Sequence, residues 1–226
     1  MHSSADDGLS EVVGFICILA LIAVVLAVWA AGGVPAGELR KEQHIAAETA
    51  VQFSDMKLAM DLLWIAGGTG DTRSVTIDAG TLSIGNSDTI IRITINESAI
   101  SYFPLRLSYT PEFVYAERFV LSADCGAVVL TTGGTRSVIL PPSVAPREND
   151  LRLTIPALAS PAMEISKTEP ITLRFHVENI REHRFTNASV SVSGDSLLRN
   201  VFAQTLGAVG QCNLTVREVL YVIEVA

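Results

Sequence analysis

The chain has 226 residues, 49% hydrophobic and 18% charged, with a formal charge of −8 and a mean hydropathy of +0.39. That apolar excess excludes a disordered chain. The acidic balance excludes a general phosphate-binding surface, which needs clustered Lys and Arg, so no nucleic-acid partner is expected. Three cysteines and four histidines show no zinc-ribbon or metal-cluster spacing, and neither a metal nor another cofactor is expected.

Val12–Ala31 reads VVGFICILALIAVVLAVWAA, and no charge falls between Val12 and Gly37. About 20 apolar residues at ~1.5 Å rise cross a ~30 Å hydrocarbon core as a self-satisfied helix. The reading is a transmembrane helix over 9–36 with the lipid bilayer as its partner. Trp29 suits the interfacial belt, and Cys17 reads as a small packing residue. A cleaved secretory signal fits less well, because the opening MHSSADDG is acidic and the apolar stretch exceeds the 7–15 residues of such a peptide. Arg40 and Lys41 alone would favour a cytoplasmic C-terminal end; the acceptor sequons below favour the exterior, which is the reading adopted.

Gly32-Gly33-Val34-Pro35 predicts a kink, since proline removes an amide donor and clashes with the preceding turn. An amphipathic helical stalk is expected over 37–68, closed by Gly67-Gly68. Ala46, Thr49, Phe53, Met56, Met60 and Leu63 recur at three- and four-residue steps and form one stripe. That stripe packs on the chain's own β-region in the preferred reading, or on neighbouring subunits in the alternative.

From residue 69 the period changes to two. Thr89–Asn96, Leu151–Ile155 and Ile171–Glu178 alternate apolar and polar residues, the last most cleanly. Shorter strands are expected at Val75–Ile77, Leu82–Ile84, Phe119–Ala123, Ala127–Thr131, Ser137–Leu140, Ser189–Ser193, Leu214–Val216 and Leu220–Val225. Gly133-Gly134, Pro141-Pro142 and Gly194-Asp195 mark turns among them. The fold class is therefore α+β: a long N-terminal transmembrane and stalk helix, then an antiparallel β-sandwich or partly closed barrel over 69–226. A break near Pro141–Asn149 offers a division into two lobes.

Asn96-Glu97-Ser98, Asn187-Ala188-Ser189 and Asn213-Leu214-Thr215 are N-glycosylation acceptor sequons. Cys125 and Cys212 are candidates for a disulfide, with two buried thiols as the alternative. His176 and His183 read as solvated strand residues, because no further ligand lies nearby. Gly67-Gly68-Thr69-Gly70 lacks the Lys-Ser/Thr of a phosphate loop. No Gly-x-Ser-x-Gly nucleophile elbow occurs.

Gly8-Leu9-Ser10-Glu11-Val12-Val13-Gly14-Phe15 resembles the opening of archaeal type IV pilin-like and archaellin-like proteins, where a short polar leader precedes an apolar helix. The remainder is similar, more loosely, to archaeal surface proteins with a β-rich exterior. The resemblance implies a leader over 1–8, cut by a prepilin peptidase between Gly8 and Leu9, and pilin-like subunits as partners. Asp6-Asp7 stand where family leaders usually carry Lys or Arg. The new amine at Leu9 would pair with Glu11 of a neighbouring subunit. The expected function is that of a non-enzymatic, single-pass, membrane-anchored surface protein whose exterior domain serves assembly or adhesion. The alternatives are a monomeric anchored binding module and, from another class, a membrane-tethered hydrolase.

Overall fold

The structure, a computed structural model, describes the backbone of residues 4–66, 69–114, 116–147, 150–206 and 212–226, and within them all side chains except those of 4–17, 28–36 and 146–147. It divides into two units. The first holds residues 1–45 and Val114–Ala116, the second Ala46–Phe113 and Glu117–Ala226.

Helix α1 is assigned over Ser4–Ile65. In the first unit, Lys41 pairs with Glu38 at 2.6 Å, and the Glu42 carboxylate accepts the amides of Val114 and Ala116.

The second unit follows in chain order with β1 (Thr72–Ile77), β2 (Gly80–Asn86), β3 (Ile90–Ile95), β4 (Ser98–Tyr102), β5 (Leu105–Thr110), β6 (Phe119–Asp124), β7 (Ala127–Thr132) and β8 (Thr135–Leu140). Then come β9 (Val144–Arg147), β10 (Asp150–Leu158), β11 (Met163–Lys167), β12 (Ile171–Ser193), helix α2 (Ser196–Leu206) and β13 (Cys212–Val225). One sheet runs β4-β3-β12-β13-β10-β9, with β1 added on β12; the other runs β11-β2-β5-β6-β7-β8.

Two cores are strung along the long strands β12 and β13. In the first, Ile171, Leu173, Phe175 and Val177 of β12 and Val219, Tyr221 and Ile223 of β13 meet β2, β5 and β6 of the other sheet. Phe53, Met56, Met60 and Leu63 of α1 close this core, each at most 7% exposed. The stripe thus packs on the chain's own sheets, because its apolar spacing matches one helix face. The second core joins Ile91 and Ile93, Leu151 and Leu153, and Leu214 and Val216 with Leu198 and Phe202 of α2. Along β13 the buried positions change from even to odd between Val216 and Val219. Successive strand residues point to opposite faces, so one end of the sheet buries one face and the other end buries the opposite face.

The α+β expectation, with a transmembrane helix over 9–36, is overturned. Strands account for 54% of the described structure, and among the described residues no helix is long and apolar enough to cross a membrane. Residues 37–65 carry Glu38, Arg40, Lys41, Glu48, Asp55, Lys57 and Asp61, too many charges for lipid. Cys17, Trp29 and the expected kink at Gly32-Gly33-Val34-Pro35 fall where side chains are not described, and Gly67-Gly68 lies outside the described residues. The sheets are not purely antiparallel either, since β10 and β13 pair in parallel from Asp150↔Asn213 to Leu158↔Tyr221. Nor does the break at 141–149 divide the body, because the second unit spans it.

The sequence marks only a turn at Gly194-Asp195 and no helix after it, and the start of α2 shows why the chain folds otherwise. Asp195 Oδ1 accepts the amides of Leu197 (2.9 Å) and Leu198 (3.1 Å), satisfying two orphan donors of the first turn. Its other oxygen pairs with the Arg136 guanidinium. Partial burial works to raise the Asp195 pKa, but Arg136 and the two amides outweigh it and hold the carboxyl below its ordinary 3.8. A depressed carboxyl stabilises the fold above the unfolded pKa, and that contribution disappears as pH falls through the lower folded value. Asp195→Ala is expected to cost about 1–2 kcal/mol at pH 7, with the difference from wild type shrinking below about pH 4 in urea titrations at several pH values.

Candidate functional site

Where α1 stops covering the sheet, the face that forms the first core continues as the floor of an open groove of about 810 Å³. Strand register sets the floor. Asp150 faces Asn213, Arg152 faces Thr215, and Thr154 faces Arg217 across β10 and β13. Thr215 then faces Arg184, and Arg217 faces Glu182, across β13 and β12. Trp64, at the end of α1, and Ser143–Ala145 border this floor.

Glu182 organises the cations. Its carboxylate accepts Arg217 Nη2 at 2.9 Å and Arg184 Nη2 and Nε at 3.0 and 3.2 Å. Those bonds, Arg217 first and then Arg184, hold its pKa below the usual carboxylate range. The Arg217 guanidinium also lies over the Trp64 ring, 5.2 Å from its centroid, a favourable cation–π contact. Arg152, exposed on the same floor, makes no ion pair among the described residues. The arrangement offers guanidinium donors, Thr hydroxyls and the Asn213 amide to an extended polar ligand.

Under Trp64 lies a small cavity of about 30 Å³. Lys57 Nζ donates to Asp61 Oδ2 at 2.6 Å and to Ser143 Oγ at 3.0 Å, while Trp64 Nε1 donates to Asp61 Oδ1 at 3.2 Å. A serine–lysine contact has nucleophile–base geometry. Here Lys57 is the cation of an ion pair with Asp61, so the cluster pins α1 to the segment before β9 and orients Trp64.

Gly8, Leu9 and Glu11 fall where side chains are not described. The proposed bridge does not form: Cys125 and Cys212 are both free thiols. Cys125 Sγ lies 3.3 Å from Asp124 Oδ1, and Cys212 Sγ lies 3.8 Å from the Ala188 carbonyl. Burial, then the Asp124 charge, pushes the Cys125 thiol well above its ordinary range, which makes it inert. His176 is half-buried on β12 beside Thr72 and Val222, whereas the exposed His183 stacks on Phe185. Among the described residues no group of three His, Cys, Asp or Glu is placed to hold a metal.

The three sequons converge. Ile95 faces Ala188, and Ala188 faces Cys212. Asn96, Asn187 and Asn213, each adjacent to one of these and each exposed, therefore lie near one end of three neighbouring strands. Asn96 and Asn187 have positive φ, 51° and 54°, at a hairpin turn and at a register shift in β12. Sequence reasoning missed the groove residues Arg152, Arg184, Arg217, Glu182 and Trp64. They are legible only as separate polar or aromatic positions, because strand register brings the four charged residues together and the packing of α1 adds Trp64.

The described residues form a two-sheet β-protein with an open groove lined by polar side chains. Residues 8–217 match the model of a family of unknown function, DUF7289, and the chain belongs to that family. No curated protein and no solved structure matches the chain.

Proposed function

We propose that the protein is a non-catalytic, pilin-like surface subunit that associates with copies of itself through its N-terminal helix and presents the β-body outside the cell for adhesion. One observation carries this reading. Ile18, Leu19, Leu21, Ile22, Val24, Val25 and Leu26 are 47–67% exposed. At about 100° per residue these positions surround the helix, and a helix apolar all round is one that is buried in its working state. Neighbouring copies' helices supply that burial. Prepilin peptidase processing between Gly8 and Leu9, and an amine–carboxylate contact from Leu9 to Glu11 of the next subunit, belong to the same reading.

Leu21→Lys with Val25→Lys is expected to remove the protein from the sheared-filament fraction of cells, and to lower sedimentable assembly of purified full chain at least tenfold. Wild-type chain that stays monomeric at every concentration overturns the proposal. That result would favour the alternative of a monomeric binding module, for which the groove is the supporting observation.

A further inference from the structure

A strand at the edge of a sheet presents unpaired amides and carbonyls, and natural chains blunt such edges with charge, proline or bulges. Among the described residues, four of the five edge strands comply. Arg73 lies in β1, Arg136 in β8, Pro146 and Arg147 in β9, and Glu164 and Lys167 in β11. Even the stretch of β12 between its pairings with β1 and β3 carries Glu178, Arg181, Glu182 and Arg184. β4 is the exception. It reads SAISY, with neither charge nor proline, and its pairing with β3 is regular throughout. Four of its five residues are exposed, and Phe103 just beyond it is 54% exposed.

The second core also runs out at this strand. Ile100 faces Ile93 across the ladder; Ile93 is fully buried, but Ile100 is 41% exposed. We propose that β4 docks antiparallel against β4 of a second copy, joining two seven-stranded sheets about a two-fold axis. The strand is self-complementary. An axis through Ile100 sets it opposite Ile100 of the second copy, Ala99 opposite Ser101, and Ser98 opposite Tyr102, with no like charges facing. The row of Ile93 and Ile100 then continues into the second copy, and the open ladder is satisfied. Other extended segments would meet the same backbone groups, but only a second copy returns this row of isoleucines to itself. Five-residue strands make a small interface, so the contact is weak in isolation and gains effective concentration when copies are already joined elsewhere.

This contact is independent of the helical association proposed above, and its test removes the helix first. Full-length chain carrying Leu21→Lys and Val25→Lys is followed by analytical ultracentrifugation over concentration, with and without Ile100→Lys. Ile139→Lys is the control, an apolar residue, 37% exposed, of edge strand β8, which already holds Arg136. A concentration-dependent dimer is expected, weakened at least tenfold by Ile100→Lys and unchanged by Ile139→Lys. Hydrogen exchange should show the β4 amides gaining protection as dimer forms, whichever variants express well. A chain that is monomeric throughout, a dimer indifferent to Ile100→Lys, or β4 amides equally fast in monomer and dimer overturns the proposal.

Discussion

Phe53→Ala is expected to lower the stability of the β-body by about 3–5 kcal/mol, the usual cost of truncating a fully buried phenylalanine. Phe53 has no exposed surface and lies against Tyr109, with ring centroids 6.1 Å apart. Burial, and then the Asp78 charge, pushes the Tyr109 hydroxyl up to about 12, and that hydroxyl donates to the Ala79 carbonyl at 2.8 Å. The ring that would have to fill the gap is therefore tethered. Two turns further along, the Tyr221 hydroxyl donates to the Met60 carbonyl at 2.8 Å, so α1 is held to the sheet and does not slide in to close the gap. The cavity persists and adds its own cost to the lost transfer energy. Leu58→Ala, on the opposite face and 56% exposed, should stay within about 0.5 kcal/mol of wild type. Urea midpoints at unchanged slope measure both. Equal effects would mean that the stripe is not what holds the helix to the sheets.

That stripe was legible because three- and four-residue spacing survives whatever the helix packs on. β12 shows the limit of such reading. Ile171–Glu178 alternates cleanly, but register shifts between Val177 and Asn179 and between Phe185 and Ala188 break the period, so one strand of 23 residues looks like two short ones. β13 hides for a related reason. Its buried face changes between Val216 and Val219, and the two alternating pieces, 214–216 and 220–225, read as separate strands. Helix α2 carried a usable signal in Asp195 followed by Leu198 and Phe202, a cap with an i, i+4 apolar pair, masked by the turn-like Gly194-Asp195. The groove carried no local signal. Arg152, Arg184 and Arg217 sit on three strands, and each alone looks like an ordinary solvated position; only the parallel β10–β13 register and the antiparallel β12–β13 register bring them side by side. The membrane reading failed differently. It rested on the apolar run of the sequence alone, whereas among the described residues no helix is long and apolar enough to cross a membrane.

The joint between β12 and α2 should be unforgiving of any added side-chain atom. Gly194 has φ +101°, and a Cβ there would lie 2.5 Å from the Asp88 carbonyl oxygen and 3.0 Å from Thr89 Cα. Both obstacles are backbone, with no flexible side-chain end to give way. Thr89 is itself fully buried, and its amide donates to Ser87 Oγ at 2.9 Å, so that wall is held from behind. Moving Gly194 instead would carry Asp195 off the α2 amides and off Arg136. Gly194→Ala is therefore expected to cost about 3–4 kcal/mol, combining the left-handed backbone penalty with overpacking. Gly134→Ala separates the two contributions. Its φ is +78°, yet nothing lies within 4 Å of the added carbon, so only the backbone part, about 1–2 kcal/mol, should appear. Denaturant titrations of the two variants give the difference directly. Matching losses would mean that the Asp88–Thr89 backbone yields freely, and that α2 is not rigidly joined to the Ile90–Ser193 end of the β3–β12 ladder.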